Sequence, residues 1–299
     1  MRSVTTLEGS PPRVVSPRSE PIRRHHRARP DSLAVIGGAL VIAIAGVAVF
    51  GPIFADGNPL SAAGPALQPP GPGFPFGTDD LGRDVLLGVV NGARVSLLAG
   101  TIAAGTSAVI GTAVGGAAGF FGRPVDDVLM RLTEMVQVAP RFFLAVLVAA
   151  LFGPSLWYLA LLLGLTFWPQ TARLLRAQVL SLREREYVLA ARAVGVSPPR
   201  ILVRHVLPNA ASIVVITAAL QVGAAILVEA SLSFLGLGDR SLISWGYMLN
   251  NAQPFLRTAW WMSLFPGLAL ALTVLGTNLL ADGIQSMLDP RLVRGTRRT

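Results

Sequence analysis

Of 299 residues, 52% are hydrophobic and only 14% are charged, where soluble domains carry about 25% charged; mean hydropathy is +0.59. That much apolar surface cannot be hidden from water in a chain this size, so its solvent is lipid. All 25 basic residues are arginine, for a net charge of +9, and cysteine is absent. This excludes a Walker A lysine, Schiff-base chemistry, disulfides and thiol nucleophiles.

Residues 1–31 hold seven arginines among Pro and Ser, with few large apolar residues, the composition of a disordered basic tail. The run from Arg23 to Arg29 could bind acidic lipid or nucleic acid. A span follows at once, so a topology signal is the better reading. A bilayer's hydrocarbon layer takes about 20 helical residues to cross. Uncharged runs of that length or more cover 32–55, 95–122, 142–172, 205–228 and 258–281. The 31-residue run at 142–172 is long for one crossing, and Gly153-Pro154 near its middle is a turn signal.

Charge sidedness resolves that run, because cytoplasmic segments are enriched in Arg and Lys. Two crossings there put 20 of the 25 arginines inside and four (Arg83, Arg94, Arg240, Arg257) outside, with Arg141 in or beside a span. The fold predicted is therefore all-α and membrane-embedded. It has six spans at about 32–55, 93–121, 127–152, 155–178, 210–234 and 258–281, and both termini are cytoplasmic. Span 3 then begins near Asp127 as one long helix that Pro140 can kink. A second basic tail occupies 289–299. Trp157, Trp245, Trp260 and Trp261 fall at the outer interface, where amphipathic rings favour the headgroup level. Gly111, Gly115 and Gly119 share one face of span 2, a device for close helix packing.

Residues 182–209, between spans 4 and 5, are too polar to cross. Helix formers run from Arg183 to Val194, and Gly195 is suited to end that helix in the left-handed conformation. Ser197-Pro198 reads as an N-cap with proline at the first helical position, and Pro208 precedes the next span. Two short helices around a glycine turn make an exposed knob on the cytoplasmic side, suited to docking a partner. A DNA-reading helix-turn-helix has a similar outline, but this one is tethered to the bilayer at both ends.

Tyr187-Val-Leu-Ala-Ala-Arg-Ala-Val-Gly195 with Leu207-Pro208 resembles the EAA loop of ABC importer permeases. Ala190, Ala191, Gly195, Leu207 and Pro208 match; Leu189 stands where the family has Glu, and His205 where it has Ile. Four further blocks are similar to dipeptide, oligopeptide and nickel permeases of the second subunit type. They are Phe76-Gly-Thr-Asp-Asp-Leu-Gly-Arg-Asp84, Val228-Glu-Ala-Ser-Leu-Ser-Phe-Leu-Gly-Leu-Gly238, Ser244-Trp-Gly-Tyr-Met-Leu249 with Phe265-Pro-Gly267, and Asn278-Leu-Leu-Ala-Asp-Gly283 with Leu288-Asp-Pro-Arg291.

The resemblance implies a type I ABC permease in the plasma membrane. It pairs with a homologous permease, docks two cytoplasmic ATPase subunits and receives substrate from an extracytoplasmic binding protein. No cofactor is expected in this chain, no metal and no nucleic acid; ATP and Mg belong to the ATPase partners, and the chain itself is not an enzyme. Coupling would run through Glu186, Tyr187, Leu189, Ala190, Ala191, Gly195, Arg200, Leu207 and Pro208. Glu229 and Asn278 are the expected path or gate residues. Intramembrane carboxylates are functional candidates, and Glu229 lies about 30 Å along a helix begun at Asn209, near the outer boundary. There a helix-end hydrogen bond holding the gate and a substrate contact are equal readings. Asp79, Asp80 and Asp84 either pair locally or meet the binding protein.

Peptides are the expected substrate, with nickel or another small solute as the alternative, since no His or Met cluster lines a span at ligand spacing. An ion-coupled secondary transporter would show inverted repeats and several buried ionisable groups, and neither is present. A membrane hydrolase would need a metal-binding His pair or a nucleophile elbow, and the sequence has neither.

Overall fold

The computed structural model describes residues 32–54 and 57–288; the basic tails expected at 1–31 and 289–299 lie outside the described residues. The described residues are helical apart from turns, loops and two isolated bridges, Gly71–Phe74 and Thr78–Asp84.

At the centre stands α2 (Val85–Phe121), 37 residues long, or about 55 Å at 1.5 Å per residue. Its first turn is held by Asp84, whose carboxylate accepts the Leu86 N–H at 2.8 Å. It makes its most extensive contact with α5 (Leu156–Leu182) and also packs on α8 (Leu207–Phe234) and α1 (Ser32–Phe54). The α2–α5 contact runs along the glycine face. A Cβ at Gly115 would strike the backbone of Ala172, and one at Gly111 would come within 2.6 Å of Thr171 Cβ. α10 (Trp261–Leu288) lies against α1 and α8 and closes the bundle.

Among the described residues, four stretches are long and apolar enough to cross a membrane: 32–51, 85–121, 198–234 and 261–287. A fifth is possible if α3 (Arg123–Val138) and α4 (Arg141–Phe152) count together, although they meet at 70°. The sequence predicts one kinked helix over 127–152; two separate helices form instead. Pro140 has no N–H to donate, and its ring forces Ala139 out of the helical region, to φ −74°, ψ 126°. α4 then ends at Gly153, φ +84°, and the chain turns back through Pro154 and Ser155 into α5, which packs on α4. α5 has 27 residues, but its second half carries Gln170, Arg173, Arg176 and Gln178.

The segment after α5 differs from two short helices followed by a span. α6 (Glu186–Ala193) is short, but α7 (Pro198–Ile201) runs without a break through a π turn at Leu202–Val206 into α8. One rod therefore extends over 198–234. Pro208 explains the π turn. A proline inside a helix clashes with the carbonyl four residues back, and widening the preceding turn relieves it. There the Leu207 N–H reaches back to the Leu202 carbonyl.

Two of the four tryptophans expected in an interfacial belt are buried anchors instead. Trp245, which opens α9 (Trp245–Ala252), is 1% exposed and donates Nε1–H to the Val89 carbonyl at 3.0 Å. Trp261 is 5% exposed and donates to the Thr78 carbonyl at 3.0 Å. A buried indole needs an acceptor; Val89 of α2 supplies one and Thr78 in the loop before α2 the other. Trp157 and Trp260 are exposed.

Candidate functional site

The knob is built on a cluster where the ends of α2, α5, α6 and α8 meet. Phe120, Leu175, Val179, Val188, Ile201, Leu202, Val206 and Ala210 are all buried there, with Ala191 and Val196 packed against them. Val188 is the fully buried residue that carries α6 into this core, with Ala191 half-buried one turn on; Glu186, Tyr187, Leu189 and Ala190 face outward. This is the helical period at work, with one residue inward and the rest of the turn exposed. Arg192 stacks over the Phe120 ring at 5.4 Å, and Arg183 donates Nη1–H to the Gly119 carbonyl at 3.1 Å. The knob is thus fastened to the end of α2 from two sides.

Gly195 ends α6 in a left-handed turn, φ +80°. Its N–H bonds the Arg192 carbonyl at 3.0 Å, and the Val196 N–H bonds the Ala191 carbonyl at 3.1 Å. Together these form a Schellman motif, closed by the apolar pair Ala191 and Val196. Ser197 sits at the N-cap of α7, but its hydroxyl makes no cap bond. Arg200 and Pro208 are exposed and Leu207 is half-buried. The exposed surface therefore comprises Glu186, Tyr187, Leu189, Ala190, Val194, Gly195 and Arg200. Tyr187, Leu189 and Ala190 make its apolar part, with Glu186 acidic at one end and Arg192 and Arg200 basic at the other.

A second feature lies towards the far end of α8. Glu229 is 2% exposed. Ser233 Oγ donates to its Oε1 at 2.7 Å, and Ser96 Oγ of α2 approaches Oε2 at 3.5 Å. Ser96 Oγ also lies 3.5 Å from the Trp245 N–H at the start of α9. The carboxylate thus ties α2, α8 and α9 together. It is enclosed in this conformation. Asn278 is exposed on α10, while its neighbour Thr277 lies against Gly223 of α8. Gly223 is six residues before Glu229, about 9 Å along the axis, so the two expected path residues do not form one site.

The loop before α2 is folded around Thr78, which is fully buried. Its hydroxyl donates to the Pro65 carbonyl at 2.6 Å and accepts from the Gln68 N–H at 2.8 Å. Asp79 accepts from the N–H groups of Leu81 and Arg83 at 2.9 and 2.7 Å. Burial pushes its carboxyl above the usual range, and those two bonds partly offset the effect. Arg83 reaches the Leu60 carbonyl at 3.0 Å and Tyr247 Oη at 3.5 Å, and Phe76 stacks on Phe265 with centroids 3.9 Å apart. Asp79 and Asp84 are therefore local acceptors. The loop is a hydrogen-bonded cap that joins the starts of α2, α9 and α10.

Sequence reasoning passed over Val188, which seats the knob, and Ser96, Ser233 and Trp245 around Glu229. Only the apolar spacing of Leu175, Val179, Leu182 and Val188 gave a readable signal for the first.

Comparison with known proteins identifies the family. The family described as "Binding-protein-dependent transport system inner membrane component" matches residues 111–294, which include the knob and Glu229. The chain is 36% identical over 285 residues to a dipeptide transport system permease protein, DppC, of Alkalihalophilus pseudofirmus, covering 93% of this chain and 91% of that one. It is 35% identical over 272 residues to the oligopeptide transport system permease protein OppC of Bacillus subtilis, covering 89% and 88%. A putative peptide transport system permease protein of Brucella suis is 39% identical over 259 residues, covering 86% and 87%. With its helical membrane fold, its knob and this similarity along nearly the whole length, the chain belongs to the family of inner-membrane permease components of binding-protein-dependent transport systems.

Proposed function

We propose that this chain forms half of the translocation path of an ATP-driven peptide importer, the other half coming from a homologous permease. The single observation that carries the reading is the knob. Its exposed apolar face on α6 is locked by the Gly195 turn to the 37-residue rod over 198–234. Two cytoplasmic ATPase subunits dock on this knob and its counterpart. They bind ATP and Mg and do the hydrolysis, since this chain has no lysine to grip phosphate. Movement of the knob then tilts the rod, and Glu229 near its far end passes that tilt to α2 and α9, in the manner of rigid-body alternating access.

Six spans, with α3–α4 as the broken third and α5 as the fourth, place both termini and the knob in the cytoplasm. The arginine distribution supports this sidedness. An extracytoplasmic binding protein delivers the substrate. Peptides are preferred to nickel because the similar permeases carry peptide names.

The test is uptake by the whole complex in proteoliposomes. The expected result is ATP-dependent accumulation of labelled peptide. Accumulation of nickel instead would replace the substrate, and uptake driven by a proton gradient without ATP would overturn the mechanism.

A further inference from the structure

Arg141 carries a positive charge half-buried at the start of α4, and no ion pair among the described residues neutralises it. It opens α4 just after the Pro140 break, 11 residues from the helix end at Phe152, or about 17 Å of helix. The chain turns there and comes back as α5. Phe167, 11 residues into α5 and so about 17 Å down it, lies at the same depth. The Arg141 guanidinium carbon stands 4.9 Å from the centre of the Phe167 ring. With the 153–155 turn at the outer boundary, as proposed above, this depth falls near the middle of a hydrocarbon layer about 30 Å thick.

No carboxylate answers this charge. Neither α4 nor α5 contains an Asp or Glu. The ion pairs among the described residues join Arg176 to Asp126 and Arg183 to Glu184. The charge that bears on Arg141 is that of Arg173, and it has the same sign. A cation at this depth is costly, and such residues face the bundle interior or a water-filled path and find a counter-charge. Arg141 is half-buried and Arg173 exposed, so both have an open side.

We infer that Arg141 is a way-station for the C-terminal carboxylate of the transported peptide, which it grips as the peptide passes the break between α3 and α4. The inference rests on the peptide reading above. Every unmodified linear peptide carries this carboxylate, whatever its side chains, so one arginine serves a broad set of substrates. The guanidinium carbon sits over the Phe167 ring, and a guanidinium presents its N–H donors in its own plane, in the fork that grips a carboxylate with two bonds. No fixed acid competes for them. Arg173 lies six residues beyond Phe167, about 9 Å further along α5, and offers the next positive charge on the way in. A lipid phosphate is the wrong ligand at this depth, because the headgroups lie roughly 15 Å away at either boundary.

The experiment uses the complete complex with its binding protein in proteoliposomes. Two forms of one peptide are compared, with a free C-terminal carboxylate and with a C-terminal amide, each shown beforehand to load the binding protein. Maximal uptake is measured at saturating peptide. The wild type should move the carboxylate form faster. Arg141→Gln should slow that form about tenfold, the effect of losing one charged hydrogen-bonding partner, and leave the amide form unchanged. Arg141→Lys should restore part of the preference.

No preference in the wild type would overturn the inference, as would an acid-to-amide ratio that survives Arg141→Gln. Equal slowing of both forms that depends on the anionic lipid content of the vesicles would assign the arginine to lipid and overturn it. Assembly by Arg141→Lys but not by Arg141→Gln would assign it to a permanent ion pair with a partner subunit, and overturn it too. A wild-type complex that moves no peptide at all would be a different failure, that of the peptide reading itself.

Discussion

Asp126 of α3 holds Arg176 of α5 in a two-bonded clasp, its Oδ2 accepting Nη2–H at 2.6 Å and its Oδ1 accepting Nε–H. The pair is only partly exposed, with side-chain accessibilities of 34% for Arg176 and 16% for Asp126. Fork-shaped pairs of this kind are stronger than ordinary surface ion pairs. The clasp fixes α3, whose following helix bends away by 70°, against the end of α5 that carries the knob. Asp126→Asn should lower stability by about 1–2 kcal/mol, read as a lower unfolding midpoint of the purified complex in detergent. An unchanged midpoint would show that the clasp is idle.

The glycine face of α2 gives a paired prediction. A Cβ at Gly115 would collide with the Ala172 backbone, which cannot give way like a flexible side chain, whereas one at Gly105 would meet nothing within 4 Å. Gly115→Ala should therefore push α2 from α5 and reduce the yield of assembled complex. Gly105→Ala should be neutral or stabilising by up to about 1 kcal/mol, since alanine is the better helix former. Equal behaviour of the two variants in a detergent-stability assay would contradict the packing described.

Thr78 tests the cap before α2. Replacing its hydroxyl in Thr78→Val keeps the shape but leaves the Pro65 carbonyl and the Gln68 N–H without their partner. Buried groups stranded in this way cost about 1–3 kcal/mol each. Faster proteolysis of the loop between α1 and α2 in intact proteoliposomes is expected, and wild-type resistance would argue that water replaces the hydroxyl.

Features set by a residue's own backbone chemistry were legible in the sequence. Gly195 and Gly153 end helices at positive φ, as glycine dictates, and proline disturbs the helix at Pro140, although the reading of a kink fell short of the full break at Ala139-Pro140. Features set by partners far along the chain were not. Ser96 and Glu229 are 133 positions apart, and nothing in either neighbourhood announces the other. Trp245 and Trp261 read as interfacial because the amphipathic ring suits either place; acceptors at Val89 and Thr78 decided for burial. The π turn at Leu202–Val206 followed from Pro208 lying inside a helix that packing keeps continuous, where a local reading ends the helix at the proline. The bend at Pro140 was readable as a kink, but its angle is set by how α3 and α4 each pack on α5.

Glu229 separates charge from architecture. Glu229→Gln keeps the size and an acceptor for Ser233, and the serine hydroxyls can rotate to receive its amide. Assembly should persist while peptide uptake falls, because the tie from α8 to α2 and α9 weakens. Glu229→Ala leaves a cavity and two unpaired serines and should cost about 2–4 kcal/mol of stability. Normal uptake by the Gln variant at limiting peptide would show that the charge is dispensable.

Coupling through the knob is most directly tested at Gly195. A Cβ there would meet nothing of this chain within 4 Å, so within the chain a substitution acts through the backbone, where a β-branched residue at φ +80° is strained by roughly 1–3 kcal/mol; the Asn variant puts a side chain of similar size on the same docking face. Asparagine tolerates this conformation. The measurement is peptide-stimulated ATP hydrolysis by the assembled complex carrying Gly195→Val or Gly195→Asn. The account predicts that the Val variant assembles but loses most of the stimulation, while the Asn variant retains it. Full stimulation in a correctly assembled Val complex would contradict the claim that this turn carries the motion between ATPase and membrane.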